Sequence, residues 1–180
     1  MVTTKRLTAQ DLWSLGSDGE RFELIEGELV EVTPPNFEHG EIQVTILGIL
    51  NQFVRHHKLG KVVTESGFII SLDPDTVLGP DVSFVSRKRL PENPRRFAEI
   101  PPDLVAEVVS PSDSRAKIER RIDVFLRGGV RCVWIIYPDR RQIVVHQRGA
   151  AAQTLSEGDL LEGGDILPGF TVAVADILEE

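Results

Sequence analysis

One cysteine, one methionine and one tyrosine occur in the 180 residues. A single cysteine, Cys132, excludes any intramolecular disulfide and suits a reducing compartment. It sits in an apolar run, which assigns it to the core as a small apolar residue. No apolar stretch approaches the roughly 18 to 20 residues of a membrane span. Met1 to Arg6 carries none of the apolar character of a secretory signal, so the expected location is the cytoplasm. A Walker loop, a GxGxxG and a GxSxG are all missing, which removes the motif-based case for nucleotide binding and for α/β-hydrolase chemistry. Basic charge is also scarce. With 28 acidic against 20 basic residues the net charge is −8, which argues against a protein that coats nucleic acid non-specifically.

What is present is an ordinary soluble composition, 41% hydrophobic and 27% charged, long enough for one domain over 1–180 with its own core. The basic clusters Arg87-Lys88-Arg89, Arg95-Arg96, Arg115 to Arg121 and Arg140-Arg141 read, one by one, as solvated surface.

Thr8 is placed to cap a short helix over 7–15, followed by a turn from Gly16 to Gly19. Residues 22–32 read as two strands bent at Gly27. Phe37 to Lys58 is the longest helical pattern, with Ile42, Ile46, Leu50 and Val54 on one stripe and Gly60 placed as its C-terminal cap. Lys61 to Leu72 is strand-like, Asp73-Pro74-Asp75 a turn, and Asp81 to Val85 a short strand. Residues 87–101 read as a loop with one helical turn near Phe97. Leu104 to Val109 is a buried strand. A helix capped by Ser112 or Asp113 then runs to Arg127, and Gly128-Gly129 closes it. Val130 to Tyr137 reads as a central strand covered on both faces, and 142–147 returns beside it. Short strands and a closing segment from Val172 to Leu178 complete the chain. The expected class is α/β (α+β), with helices covering a mixed sheet. The unit from 103 to 137 is predicted to be a parallel crossover.

The chemistry concentrates at two carboxylates. Glu107 lies inside an apolar strand, where an ionised group needs a partner. Asp81 opens the preceding strand, so adjacent strands could bring both to one sheet edge. Paired carboxylates repel unless protonated or bridged by a cation. Mg²⁺ or Mn²⁺ with one or two carboxylates, waters and phosphate oxygens suits phosphodiester hydrolysis. On the helix after Glu107, Lys117 and Arg121 share one flank while Arg120 points to solvent. Either could supply a cation for transition-state charge. The alternative is purely structural: Asp81 caps a turn and Glu107 pairs with Arg121.

Pro80-Asp81 followed by Glu107-Val108-Val109 resembles a variant of the PD-(D/E)XK nuclease motif. Phe22 to Val30, His39 before the long helix, Pro80-Asp81-Val82, Glu107 to Ser112, Gly129-Val130 leading to Val133-Trp134, and Leu167 to Phe170 together resemble the Uma2 family of restriction-endonuclease-like proteins. The likeness covers nearly the whole chain. It implies a restriction-endonuclease-like fold with a mixed central sheet, a Mg²⁺ or Mn²⁺ site at Asp81 and Glu107, and the Val108 carbonyl as a further ligand. DNA is the implied substrate, and a homodimer is implied by double-strand cleavage. The motif lysine two residues after Glu107 is replaced by Val109. The resemblance moves the basic role to the following helix, at Arg121 or Lys117. Arg121 stays protonated and cannot act as a base, though it can stabilise charge.

Glu23 is a candidate third acid, or a surface strand residue. His39 could touch phosphate or order water, or be structural. Glu65 could face the same edge. Ser110 and Ser112 read as turn and cap residues. His56, His57 and His146 have no zinc spacing and read as surface groups. Three functions stay open: a metal-dependent DNA endonuclease, a catalytically inactive nuclease-fold module that binds nucleic acid or protein, and a hydrolase of smaller phosphate esters.

Overall fold

The computed structural model describes residues 6–16 and 21–179. The turn expected from Gly16 to Gly19 lies mostly outside them. Thr8 caps α1 (Ala9–Leu15) as expected, in a reciprocal arrangement with Asp11. Strands β1 (Phe22–Ile25) and β2 (Glu28–Glu31) form the expected hairpin, with both turn residues, Glu26 and Gly27, at positive φ. They belong to a four-stranded sheet ordered β2-β1-β5-β4, with β4 at Phe68–Ser71 and β5 at Thr76–Leu78.

A six-stranded sheet forms the frame of the molecule, ordered β10-β9-β8-β7-β6-β3. Its members are β3 (Gly60–Val63), β6 (Val82–Ser86), β7 (Leu104–Val108), β8 (Cys132–Tyr137), β9 (Gln142–Gln147) and β10 (Gln153–Ser156). Only β7 and β8 run parallel, joined by α3 (Arg115–Arg127) as the crossover. The other pairings are antiparallel. A small β11 (Leu160–Glu162) and β12 (Thr171–Ala173) pair precedes α4 (Val174–Ile177).

Strand alternation decides what each face meets. Leu104, Ala106 and Val108 of β7, with Trp134 and Ile136 of β8, pack against Ile42, Ile46, Leu50 and Val54 of α2 (Phe37–His56). Val105, Val133 and Ile135 face the other way, toward Ile122 and Phe125 of α3 and toward Phe68, Ile70 and Leu78 of the second sheet. Glu107 follows Val105 on that second face. It therefore points into the space between the main sheet, α3 and β1. Cys132 is buried within the α2-side core, and burial pushes its thiol up to about 11. Expected labelling by a thiol reagent in the native protein is negligible near neutral pH.

Four expectations are corrected. Gly60 does not cap α2. Lys58 takes the left-handed position with φ 55°, while the Leu59 N–H donates to the Val54 carbonyl at 3.0 Å and the Lys58 N–H to Arg55 at 3.3 Å. That is a Schellman closure without glycine. Gly60 instead opens β3 against β6, where a Cβ would lie 2.0 Å from the Val85 carbonyl oxygen. Gly60→Ala is expected to lower stability by about 1–3 kcal/mol, read as a fall in denaturation midpoint. The strand-like stretch expected from Lys61 to Leu72 is two strands in different sheets, and a further strand, β5, forms between the Asp73-Pro74-Asp75 turn and Asp81. The helical turn expected near Phe97 is a 3₁₀ turn at Arg87–Arg89, and Ala98 bridges to Phe68 instead. The cap of α3 is Ser114, whose hydroxyl accepts the Lys117 N–H at 3.2 Å. Asp113 is engaged elsewhere.

Candidate active site

β6 and β7 run antiparallel with Val82 opposite Ala106. The next step along that ladder sets Asp81 beside Glu107. The Asp81 carboxylate accepts the Val108 N–H at 2.7 Å through Oδ2. The same oxygen lies 3.2 Å from His39 Nε2. The Asp81 carbonyl accepts from Gln43 Nε2 at 3.0 Å. His39 and Gln43 are successive turns of α2, so the start of that helix grips Asp81 at two points. Among the described residues, Asp81 Oδ1 takes no hydrogen bond.

Arg121 reaches across from α3 as a two-sided fork. Its Nε and Nη2 donate to the two Glu107 oxygens at 2.9 and 3.1 Å. Its Nη1 and Nη2 donate to Glu23 at 2.6 and 3.0 Å. The guanidinium also stands over the Phe125 ring, 5.3 Å from its centroid. Glu23 accepts the Gly79 N–H at 2.8 Å as well, which ties β1 to the segment leading into Asp81. The side chains of Arg121, Glu23 and Glu107 are only 20%, 10% and 13% exposed.

Three carboxylates thus face one guanidinium and one imidazole. Burial raises the Glu107 carboxyl to about 8, against the pull of Arg121, with Asp81 and Glu23 adding to the rise. Arg121 is raised too, because two carboxylates outweigh the burial of its charge. The two rises have different causes: burial for the Glu107 carboxyl, and the two neighbouring carboxylates for the Arg121 guanidinium. Burial lowers His39, but Asp81, Glu107 and Asp113 outweigh it and its pKa is raised.

Lys117 is further out. Its side chain is 65% exposed and held at 2.7 Å by Asp113. Asp113 also accepts the Ser110 N–H at 3.0 Å, and the Ser110 hydroxyl lies 3.3 Å from His39 Nδ1. The Ser110-to-Asp113 turn therefore links the end of β7, the α2 terminus and the rim. Glu65 sits at the mouth, paired with Arg21. A cleft of about 750 Å³ takes in Glu23, His39, Asp81, Glu107, Val108, Lys117 and Arg121 along its walls. The sequence-derived candidates thus share one cleft, with Lys117 at its edge. Gln43 and Asp113 were missed. Gln43 carried a signal, being a polar residue beside Ile42 on the buried stripe of α2. Asp113 carried none beyond its place after Ser-Pro-Ser.

The donor set suits a hard divalent cation in part. Asp81 and Glu107 lie side by side, Asp81 keeps a free oxygen among the described contacts, and negative charge is in excess. Among the described residues no three His, Cys, Asp or Glu form a ready cage. Mg²⁺ does not need one, since it binds through one or two carboxylates and completes its shell with waters and phosphate oxygens.

A six-stranded mixed sheet flanked by α2 and α3, with an acidic cleft at the β6–β7 edge, is the architecture of a restriction-endonuclease-like protein. The chain belongs to the Uma2 family, whose model carries the description "Putative restriction endonuclease" and matches residues 9–175. The fold is similar to the crystal structure of "a putative nuclease belonging to DUF820" from Anabaena variabilis ATCC 29413, at a TM-score of 0.83 and 21% identity. The match covers 96% of this chain and 97% of that one, and at that identity it shows the fold alone. No curated protein matches the chain. Among the described residues, no helix is long and apolar enough to cross a membrane.

Proposed function

We propose that this chain is a Mg²⁺- or Mn²⁺-dependent DNA endonuclease. The observation that carries the reading is the convergence of Asp81 and Glu107 beside a guanidinium already held by two carboxylates. Asp81, Glu107 and the Val108 carbonyl would hold the ion, which supplies an activated water and charge neutralisation at the phosphate. His39 and the Val108 N–H fix the Asp81 carboxylate. Arg121 remains protonated and offsets charge developing on the phosphate oxygens. Glu23 positions Arg121 rather than touching substrate. Lys117, exposed at the rim, contacts the phosphate backbone. Lys117→Met is expected to weaken DNA binding several-fold, with a smaller effect on kcat, as read by titration and single-turnover kinetics.

The test is conversion of supercoiled plasmid to nicked and linear forms with Mg²⁺ or Mn²⁺, with chelator as control. Cleavage that needs the metal and disappears in Glu107→Gln supports the reading. DNA binding without cleavage in any metal favours the inactive nuclease-fold module. That module draws support from Val109 in the motif lysine position and from the engagement of both Glu107 oxygens by Arg121. Hydrolysis of model diesters without DNA binding favours a small-ester hydrolase.

A further inference from the structure

The cleft that holds the acids is poorly equipped to grip a duplex. Duplex affinity comes chiefly from lysines and arginines that neutralise phosphates. Among the described residues, the lysine and arginines lining the cleft already have carboxylates: Arg21 is held by Glu65, Lys117 by Asp113, and Arg121 by Glu23 and Glu107. Much of the remaining wall is apolar. Val30 stands cross-strand from Glu23, so it shares the face that meets Arg121. Val32, two residues on, falls on the same side and is 38% exposed. Pro34, Pro35, Leu15 and Phe97 also line the cleft. Its volume of about 750 Å³ lies within the roughly 300–1,000 Å³ of pockets that enclose small ligands, a scale that suits separate nucleotides. Beside Phe97 stands an aromatic corner. Trp13 of α1 meets Phe97 edge to face, with centroids 5.0 Å apart, and the Arg96 guanidinium lies 5.2 Å from the Trp13 ring centroid. Trp13 is 40% exposed. Arg96 is exposed, donates to the Gln10 side chain, and has no carboxylate partner among the described residues. Exposed aromatic and guanidinium planes are the surfaces on which unpaired bases stack.

We infer that the cleft takes a DNA strand with unpaired nucleotides, held more by its bases than by its phosphates. One base lodges against Val30 and Val32 beside the acids, and a base further along the strand stacks on the Trp13–Arg96 corner. This names the substrate class of the endonuclease reading and rests on that reading. Phosphate contacts are then few, from Lys117, Arg121 and Arg96. At about 0.7 per phosphate on a single strand, the logarithm of affinity falls against the logarithm of salt with a slope no steeper than about −2. A duplex binder with six to ten phosphate contacts loses roughly 10³- to 10⁵-fold between about 50 and 200 mM salt. The strand bound here is expected to lose less than about 20-fold over the same range. The corner also carries its own reporter. The sequence has two tryptophans and Trp134 is fully buried, so a ligand-induced change in emission reads Trp13.

The test is an anisotropy titration of the full chain with a labelled strand of about 12 nucleotides, within the span of known single-strand sites, and with the matching duplex. Ca²⁺, which also takes oxygen ligands, replaces Mg²⁺, and tryptophan emission is followed in parallel. The expected result is binding of the single strand at least tenfold tighter than the duplex, with the shallow salt dependence above and quenching of Trp13. Trp13→Ala is expected to weaken strand binding at least fivefold and to leave duplex binding unchanged. Equal or tighter binding of the duplex overturns the inference, as does strand binding with unchanged emission, or no binding of either. The preference and the quenching are read on the wild type, so they decide the matter even where Trp13→Ala fails to fold. Metal-dependent plasmid cleavage without strand preference keeps the endonuclease reading and removes this one. Strand preference with quenching but no cleavage in any metal keeps the unpaired-strand site and removes the endonuclease.

Discussion

Arg121→Ala is expected to lower the free energy of unfolding by about 3–5 kcal/mol, the range for breaking a buried ion pair from one side. The cause is the pair of carboxylates left behind. Glu23 and Glu107 are nearly buried, and together they receive four hydrogen bonds from one guanidinium. Neither has another cation within ion-pairing distance among the described residues. Glu107, which burial already raises to about 8, can answer by taking up a proton, but the four hydrogen bonds from the guanidinium are lost in either case. Chemical denaturation of the wild type and the variant measures the loss. Combining Arg121→Met with Glu23→Gln and Glu107→Gln removes the stranded charges and is expected to recover most of the stability. If Arg121→Ala unfolds with the wild-type midpoint, the guanidinium is not the tie between α3, β1 and β7 described above.

Asp81→Asn is expected to reduce metal-dependent DNA cleavage on the order of 10³-fold or more. Loss of metal-mediated charge stabilisation is worth several kcal/mol, and each 1.36 kcal/mol is tenfold in rate. The substitution is nearly isosteric. The asparagine oxygen still accepts the Val108 N–H that Asp81 accepts at 2.7 Å, so the end of β7 stays in place and the circular dichroism spectrum is expected to be unchanged. A folded Asp81→Asn protein that cleaves plasmid at the wild-type rate would remove Asp81 from the site.

The order of elements was legible because each carries a local signal. The α2 stripe at Ile42, Ile46, Leu50 and Val54, the apolar run of β8 and the Gly128-Gly129 closure of α3 all matched their patterns. Signals failed where tertiary contact overrides local chemistry. Gly60 stands at a helix end, yet it is required by the approach of the Val85 carbonyl, while Lys58 accepts a positive φ that glycine would adopt more easily. The buried Thr76–Leu78 strand is three residues long and too short for periodicity to mark. At the site, Glu107 stood out because a carboxylate in an apolar strand needs a partner, and the pairing with Arg121 followed from the face of α3. The second carboxylate on Arg121 was not legible as such. Glu23 comes from a different sheet, and only the packing of β1 over α3 brings it within 2.6 Å of the guanidinium.

Calorimetric titration with Mn²⁺ tests the central claim most directly, because it reads the site without requiring a substrate. The expected result is saturable binding to the wild type that Asp81→Asn and Glu107→Gln each weaken at least tenfold, with Lys117→Met indistinguishable from the wild type. Equal Mn²⁺ affinity in the wild type and both acidic variants, or no binding to any of them with or without DNA present, would contradict a metal site at Asp81 and Glu107.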